Sequence, residues 1–150
     1  NHLKSHFVDF RTDPEVGKQT NNATRKRQAE SLRGIIKQRT RPGSNFIVIG
    51  DLNDPTDSEF LSPFTQDPEL ALVNGLKNPT ETQPFKEELE NKTWTHRFKA
   101  GGEPAHYELF DHIWLSSNLA EQQQEAFIDR RTLLAGDGSD HDPAWVVLEM

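Results

Sequence analysis

The chain has 150 residues, of which 33% are hydrophobic and 27% are charged, and its mean hydropathy is −0.81. This length fits one domain with its own core, and no apolar run approaches the roughly 20 residues that cross a bilayer. There is no cysteine, which excludes disulfides, thiolate metal sites and a thiol nucleophile. We expect a soluble protein with no signal peptide in this chain, and the compartment stays open.

The net charge of −7 is unevenly distributed along the chain. Residues 1–44 carry 10 of the 17 Lys+Arg and 4 of the 24 acids, a net +6, which leaves −13 for residues 45–150. An acidic region that handles a phosphate ester needs a divalent cation as intermediary. The basic part either helps to hold an anionic substrate or is the solvated face of a helix, and the second interpretation is favoured.

The first predicted elements are a strand and a basic helix. Residues 1–8 begin in the middle of a strand pattern, so we interpret the chain as a fragment of a longer domain. Residues 23–39 carry apolar side chains at helical spacing, which predicts an amphipathic helix that ends before Pro42-Gly43. Its apolar positions are Ala29, Leu32 and Ile36, and its candidate N-caps are Asn21, Asn22 and Thr24.

Residues 46–49, Phe-Ile-Val-Ile, are a short apolar run typical of a strand buried on both faces. A helix followed by such a strand indicates a layered α/β fold. Asp57 is expected to cap a short helix over residues 58–61, and four prolines predict mostly loop over residues 62–92. Further strands are predicted at residues 93–96, 109–116 and 144–149, with a weaker signal at 131–135.

Polar residues directly follow the buried strand, in the sequence Gly-Asp-Leu-Asn-Asp-Pro over residues 50–55. Asp51 and Asn53 stand two residues apart at the carboxyl end of this strand. They can therefore point to one side of the sheet edge, where open α/β folds place ligands. Taken alone, the same sequence is equally the composition of a turn.

Asp111 stands inside the apolar strand pattern, where a lone charge is costly and needs a partner. His141, in the sequence Gly-Ser-Asp-His-Asp-Pro, is the expected partner, because an aspartate that accepts a hydrogen bond from an imidazole fixes its tautomer. The alternatives are a solvent-facing Asp111 and a plain turn around His141. His2 on its own reads as a surface residue. The other histidines are not expected to be catalytic: His6, His96, His106 and His112.

Four short motifs occur in order along the chain: Asn1-His2-Leu3, Gly50-Asp51-Leu52-Asn53, Phe110-Asp111-His112-Ile113 and Gly138-Ser139-Asp140-His141-Asp142-Pro143. Together they closely resemble the endonuclease/exonuclease/phosphatase superfamily, which includes pancreatic-type deoxyribonucleases, abasic-site endonucleases, neutral sphingomyelinases and inositol polyphosphate phosphatases. Residues 27–32 and 93–96 also resemble bacterial members. The resemblance implies part of a four-layer α/β sandwich of the deoxyribonuclease I-like type, and hydrolysis of phosphate esters with Mg²⁺ or Mn²⁺.

The resemblance also implies a role for each motif residue. His141 would be the general base or a phosphate-stabilising histidine, with Asp111 as its orienting carboxylate. Asp51 would assist the attacking water or the metal, and Asn53 would position the scissile phosphate. His2 would contact a phosphate oxygen or aid the leaving group. The implied metal-side residues are Asp51, Asn53 and Asp140, whose oxygen ligands suit Mg²⁺.

The principal metal-binding glutamate of the family, and an asparagine near the start of its domain, lie upstream of the motif that His2 matches. We therefore expect residues 1–150 to be the carboxyl-terminal part of a single domain, with a partner chain or self-association covering an exposed sheet face. The expected function is that of a metal-dependent phosphodiesterase or nuclease, with DNA or RNA among its candidate substrates; the activity of the isolated chain is left open. The alternatives are a phosphomonoesterase for a small molecule or lipid headgroup, and a non-catalytic binding module.

Overall fold

The computed structural model of the protein describes residues 1–81, 93–99, 101–130 and 139–149. Within these residues the chain forms helices and strands in a mixed order, and no described helix is long and apolar enough to span a membrane. In chain order, the elements are α1 (Pro14–Arg39), β1 (Ile47–Asp51), α2 (Ser62–Thr65), β2 (Val73–Asn74), β3 (Thr80–Glu81), β4 (His96–Phe98), β5 (His106–Glu108), β6 (Asp111–Leu115), α3 (Ser117–Ala120), β7 (Gln123–Ile128) and β8 (Ala144–Leu148).

The helix predicted at residues 23–39 begins nine residues earlier, at Pro14, and the predicted caps were wrong. Asp13 is the N-cap, and its carboxylate accepts hydrogen bonds from the backbone N–H groups of Glu15 and Val16. The first turns lack an apolar stripe, so periodicity could not detect them. They are held by the preceding loop, where Asn21 Nδ2 donates to Phe7 O at 2.9 Å.

Three sheets are present in the described residues. The first has the strand order β1-β6-β2, the second β3-β7-β8, and the third is the β4-β5 hairpin pair. β1 and β6 are antiparallel, and their register places Asp51 opposite Asp111 at one end of the ladder. The mixture of helices and several sheets confirms the expected α/β fold class.

Two apolar clusters pack against the two faces of the first sheet. Val48 and Trp114, which are register partners, face the cluster that includes Ala29 and Ile36 of α1. Ile113 and Leu115 instead join the cluster formed with the second sheet, together with Ala126. β6 is therefore the central strand that joins a helical layer to a second sheet. A strand with both faces covered is rigid, which suits it to carry a site residue at its end.

The prediction that the strand at residues 46–49 is buried on both faces was wrong. Ile47 and Ile49 are 44% and 54% exposed, although Val48 is only 3% exposed. Ile47 and Ile49 lie on the same face as their register partners Leu115 and Ile113, and among the described residues the cluster with the second sheet covers this face over β6 but not over β1. β-branched composition reports a strand but does not distinguish a central strand from an edge strand.

The remaining strand and helix predictions have mixed outcomes. The strands predicted at residues 109–116 and 144–149 are confirmed as β6 and β8. The strand predicted at 93–96 begins only at His96, and residues 58–61 form turns before α2 instead of a helix. The weaker strand at 131–135 lies outside the described residues. β7 was missed because its first half, Gln-Gln-Glu, is polar; it is stabilised by pairing with β8.

Candidate active site

The site begins at the end of the β1-β6 ladder. Asp51 is the last residue of β1 and Asp111 is the first residue of β6, and the two are direct register partners. Residues opposite one another in an antiparallel pair point to the same face, with their Cβ atoms about 4.5–5.5 Å apart. The fold therefore brings two carboxylates from distant parts of the sequence to one sheet edge.

His141 is the partner of Asp111, as the sequence predicted. Its Nδ1 lies 2.6 Å from Asp111 Oδ2, and Thr95 Oγ1 accepts a hydrogen bond of 3.0 Å from the backbone N–H of Asp111. The hydrogen bond to Asp111 raises the pKa of His141 above its ordinary value, against partial burial, which lowers it. Burial alone would raise the pKa of Asp111, but the hydrogen bonds with His141 and Thr95 together lower it. The pair therefore stabilises a protonated ring beside an ionised carboxylate.

The loop that carries His141 is fixed by the residues before β4. A backbone bridge joins His96 to His141, and the backbone N–H of Asp142 donates to Thr95 O at 2.7 Å. Ser139 Oγ accepts a hydrogen bond of 3.1 Å from the backbone N–H of His141. The small polar residues around His141 thus hold the ring in place, so the turn-like composition and the site interpretation are compatible.

Arg130 binds the loop that carries His141, through Asp142. The sequence analysis missed this residue. Its guanidinium is 1% exposed; Nη1 donates to Asp142 at 2.9 Å and to the backbone oxygen of Trp94 at 2.6 Å, and Nη2 donates to Glu81 at 2.7 Å. It also lies over the Trp94 ring, 3.8 Å from the centroid. A buried arginine with several acceptors orders the backbone on both sides of it. Nothing in the local sequence around residue 130 signals this role.

Asp51 and Asn53 form the second half of the site. Asn53 donates from its backbone N–H to one oxygen of Asp51 and from Nδ2 to the other, each at 2.9 Å. Asn53 has a φ of 53°, a left-handed conformation that asparagine tolerates better than most residues. Its Nδ2 also donates to Leu3 O at 3.2 Å. The side chain that was predicted to position a phosphate is therefore oriented by the strand end and by the first residues of the chain.

The remaining predicted residues lie at the rim of this edge. His2 Nε2 is 3.5 Å from Asp51 Oδ2, and its side chain is 73% exposed. Asp140, whose side chain is 69% exposed, has Oδ1 at 3.9 Å from His141 Nε2. The structure thus brings His2, Asp51 and Asn53 into one contact group and Asp111, Asp140 and His141 into another, joined through the Asp51–Asp111 register pair.

His96 also lies at the site, although the sequence analysis did not expect it to be catalytic. Its ring stacks on Phe110 at 5.1 Å between centroids and lies 4.8 Å from the ring of His141. Its Nε2 is 3.3 Å from Asp140 Oδ2. The available signal was the strand Thr-Trp-Thr-His, but the proximity depends on the fold that joins β4 to residues 139–142.

His112 has a structural role in the same region. Its ring is buried, with Nε2 2.8 Å from Asp54 O and 3.1 Å from Leu109 O, while Nδ1 is 3.0 Å from Trp114 Nε1. Two carbonyl acceptors and one indole donor assign the proton to Nε2 of a neutral ring. Burial lowers the pKa of His112. The ring therefore ties the loop after β1 to β6 and thereby fixes the backbone next to Asn53.

The donor set of this edge fits a hard divalent cation. Asp51, Asn53 and Asp140 offer carboxylate and amide oxygens, the ligands that Mg²⁺ and Mn²⁺ prefer. Among the described residues, the ion-pair partners of Asp51 and Asp140 are all histidines, so no lysine or arginine there neutralises these carboxylates. A cation at this edge would balance the excess negative charge.

The comparison with protein-family models agrees with the α/β fold class. An Asp-His pair and further carboxylates at one sheet edge are compatible with hydrolysis of a phosphoester. The model of the Endonuclease/Exonuclease/phosphatase family matches residues 6–141, and the chain belongs to this family. No individual curated protein matches the chain. The match includes Asp51, Asn53, Asp111 and His141, while His2 precedes it.

Proposed function

We propose that the protein is a metal-dependent phosphodiesterase or nuclease that uses Mg²⁺ or Mn²⁺. The observation that carries the proposal is the hydrogen bond of 2.6 Å between His141 Nδ1 and Asp111 Oδ2, at the same strand ends as Asp51 and Asn53. Such a pair leaves Nε2 of the histidine available for proton transfer, with its tautomer set by the carboxylate. Family membership supports hydrolysis of a phosphate ester.

In the proposed mechanism, His141 accepts a proton at Nε2 from the attacking water, or donates a hydrogen bond there to the phosphate. Asp111 keeps Nδ1 protonated, holds the ring in position and stabilises the positive charge that forms. The raised pKa of His141 has the same physical cause, which is the hydrogen bond to Asp111. General-base catalysis of this kind contributes typically about 10²–10⁴-fold to a rate.

The second contact group would hold the phosphate. Asn53 would position the scissile phosphate by exchanging the hydrogen bond from Nδ2 to Leu3 O for one to a non-bridging oxygen, while Asp51 orients the water or helps to bind the cation. His2, which is largely exposed, would contact a phosphate oxygen or protonate the leaving group. Asp51, Asn53 and Asp140 are the residues that would hold Mg²⁺ or Mn²⁺. Such an ion, when bound, supplies positive charge that stabilises the phosphate oxygens in the transition state.

A phosphomonoesterase for a small molecule or a lipid headgroup is the second candidate. The observation that favours it is the net charge of −13 on residues 45–150, which carry most of the site, because tight binding to a nucleic acid needs basic contacts with many phosphates. The net +6 of residues 1–44 counts towards a diester as a candidate contact surface for an anionic substrate, although a solvated helix face is the favoured interpretation of these residues. A non-catalytic binding module is the third reading, and it predicts no hydrolysis of either substrate.

We also propose that residues 1–150 are the carboxyl-terminal part of one family domain, with a covering element over an exposed sheet face. On the second sheet, Ala144 and Val146 of β8 pack into the core, whereas Trp145 and Val147 alternate with them and are each 40% exposed. Trp145 stacks on its register partner Phe127 at 5.3 Å. An apolar outer face is expected to pack against further chain, whether a segment of the same protein, a partner chain or a second copy.

The experiment that tests the function compares two substrates, bis-p-nitrophenyl phosphate and p-nitrophenyl phosphate, in Mg²⁺ and in Mn²⁺. The proposal predicts metal-dependent hydrolysis that is faster for the diester and is abolished in His141→Gln. His106→Gln is the matched control, since His106 is an exposed histidine of β5. Faster hydrolysis of the monoester would favour the second candidate. A rate that His141→Gln leaves unchanged would contradict the proposed role of His141.

A further inference from the structure

Two histidines and one carboxylate converge beside the proposed catalytic ring. The nearest ligand atoms of His96, Asp140 and His141 all lie within 4.8 Å of one another. Asp140 joins them, with one oxygen 3.3 Å from His96 Nε2 and the other 3.9 Å from His141 Nε2. We infer that these three residues bind a divalent transition-metal ion of the Zn²⁺ type, and that this ion inhibits the hydrolysis.

The chemistry of these ligands differs from that of the proposed magnesium ligands. Two imidazole nitrogens and one carboxylate oxygen are a ligand set typical of zinc sites that keep a position open for water. Imidazole suits Zn²⁺, Cu²⁺ and Ni²⁺, whereas Mg²⁺ prefers oxygen. Asp140 belongs to both sets, so the two kinds of ion would share one carboxylate and would not bind fully independently.

The two histidines are already positioned for an ion. His141 Nδ1 is hydrogen-bonded to Asp111, which leaves the lone pair of Nε2 for a metal. In metal sites, a carboxylate–histidine pair of this kind orients the ring and raises its basicity. The His96 side chain is 16% exposed, and its ring stacks on Phe110 at an interplanar angle of 17°. The backbone bridge between His96 and His141 holds the two rings near each other. The ligand atoms lie within 4.8 Å of one another, which is wider than around a bound ion, so small movements of these side chains, led by the exposed Asp140, would complete the site.

Zn²⁺ binding would inhibit hydrolysis because metal binding and proton transfer both use His141 Nε2. A metal ion bound at His141 Nε2 occupies the lone pair that proton transfer requires. This part of the inference rests on the proposed function, whereas binding of the ion does not. The structure therefore predicts that Zn²⁺ opposes the activity that Mg²⁺ or Mn²⁺ supports.

Binding is tested with Co²⁺, which has visible absorption when it replaces Zn²⁺, and with Zn²⁺ by calorimetry in a buffer that contains excess Mg²⁺. We expect one Co²⁺ ion per chain, and affinity for Co²⁺ and Zn²⁺ at least about tenfold weaker in His96→Ala and in Asp140→Asn. His106→Ala is the matched control and should bind both ions as the parent chain does. Asp140 is largely exposed, so Asp140→Asn keeps the test valid even if His96→Ala does not fold.

Inhibition is a separate readout on the same variants. Inhibition is measured as the Mg²⁺-dependent rate without Zn²⁺ divided by the rate with added Zn²⁺. This ratio should fall towards one in His96→Ala, which would be inhibited less, and should stay at the parent value in His106→Ala. Co²⁺ binding that both His96→Ala and Asp140→Asn leave unchanged would overturn the site. Tight Zn²⁺ binding without any hydrolysis by the parent chain would instead support the site and count against the proposed function.

Discussion

Asp111 has two neighbours that define its role: Asp51, its register partner across the β1-β6 ladder, and His141, whose Nδ1 lies 2.6 Å from its carboxylate. Replacing Asp111 with Asn removes the negative charge and introduces an NH2 group that can donate to Nδ1, which allows the ring to adopt the other tautomer. We predict that Asp111→Asn lowers kcat by about 10²–10⁴-fold with little change in KM. Steady-state kinetics on the diester substrate measure this, and Asp57→Asn, at an exposed carboxylate, is the control. A kcat within twofold of the parent value would contradict the orienting role.

Two variants at Asn53 distinguish the effect of backbone strain on stability from the effect of the side chain on catalysis, because the φ of 53° at this position favours glycine and asparagine. Both variants lose the hydrogen bonds from Nδ2 to Asp51 and Leu3, so both should be less stable than the parent chain, and Asn53→Ala should be less stable than Asn53→Gly by about 1–2 kcal/mol because only alanine is strained at this φ. Both variants lose the Nδ2 donor, so both should lose activity, by about 10²-fold or more. Urea unfolding and initial rates measured on the pair distinguish the two effects. Full activity in Asn53→Gly would show that the amide does not act on the phosphate.

Arg130 holds a buried carboxylate next to the catalytic loop, with Nη1 2.9 Å from Asp142. Arg130→Met leaves Asp142, which is 5% exposed, without this charge partner. We predict a loss of about 3–5 kcal/mol in the free energy of unfolding. The double variant with Asp142→Asn should recover part of that loss, because it removes the stranded charge. The effect of Asp142→Asn is measured in the parent chain and in the Arg130→Met variant. If it lowers the free energy of unfolding by the same amount in both, the two residues are not coupled.

Asp67 provides a test of pH dependence away from the site. The hydrogen bond from Arg33, which contacts it in an ion pair, holds the pKa of Asp67 below its usual value, and Lys37 Nζ lies 3.8 Å away. Because the folded pKa is depressed, the stabilisation is present above the unfolded pKa of about 3.9 and is lost as the pH falls through the folded value.

Asp67→Asn should therefore destabilise the protein at pH 7, and the difference from the parent chain should shrink below about pH 4. Thermal unfolding at both pH values measures this. Glu69→Gln is the matched control, since Glu69 also pairs with Lys37 but its side chain is 70% exposed. A difference that stays constant across this pH range would mean that the charge of Asp67 is not what stabilises the fold.

The sequence predicted the contact between Asp111 and His141 better than it predicted the elements that hold these two residues. Asp111 drew attention because a lone charge inside an apolar strand pattern is costly unless it has a partner. The Asp111–His141 contact was expected on that ground and is present. The α/β class followed in the same way from a helix pattern beside an apolar strand.

Features that depend on contacts between distant residues could not be predicted. The first turns of α1 are polar and are held by the loop at Phe7, and His96 reaches the site only because β4 bridges to His141. Arg130 resembles any surface arginine in the sequence, yet it is buried among acceptors that lie 12 to 49 residues away. Periodicity reports local structure, whereas these positions depend on long-range pairing.

The central claim is that Asp111 and His141 act as one unit in hydrolysis, and a double-mutant cycle on kcat tests it most directly. Asp111→Asn, His141→Gln and the double variant are measured with the diester substrate in Mn²⁺. Residues that act as a unit have non-additive effects. The account predicts that the double variant is no slower than His141→Gln alone. Losses that multiply, so that the double variant is slower by the product of both single effects, would contradict it.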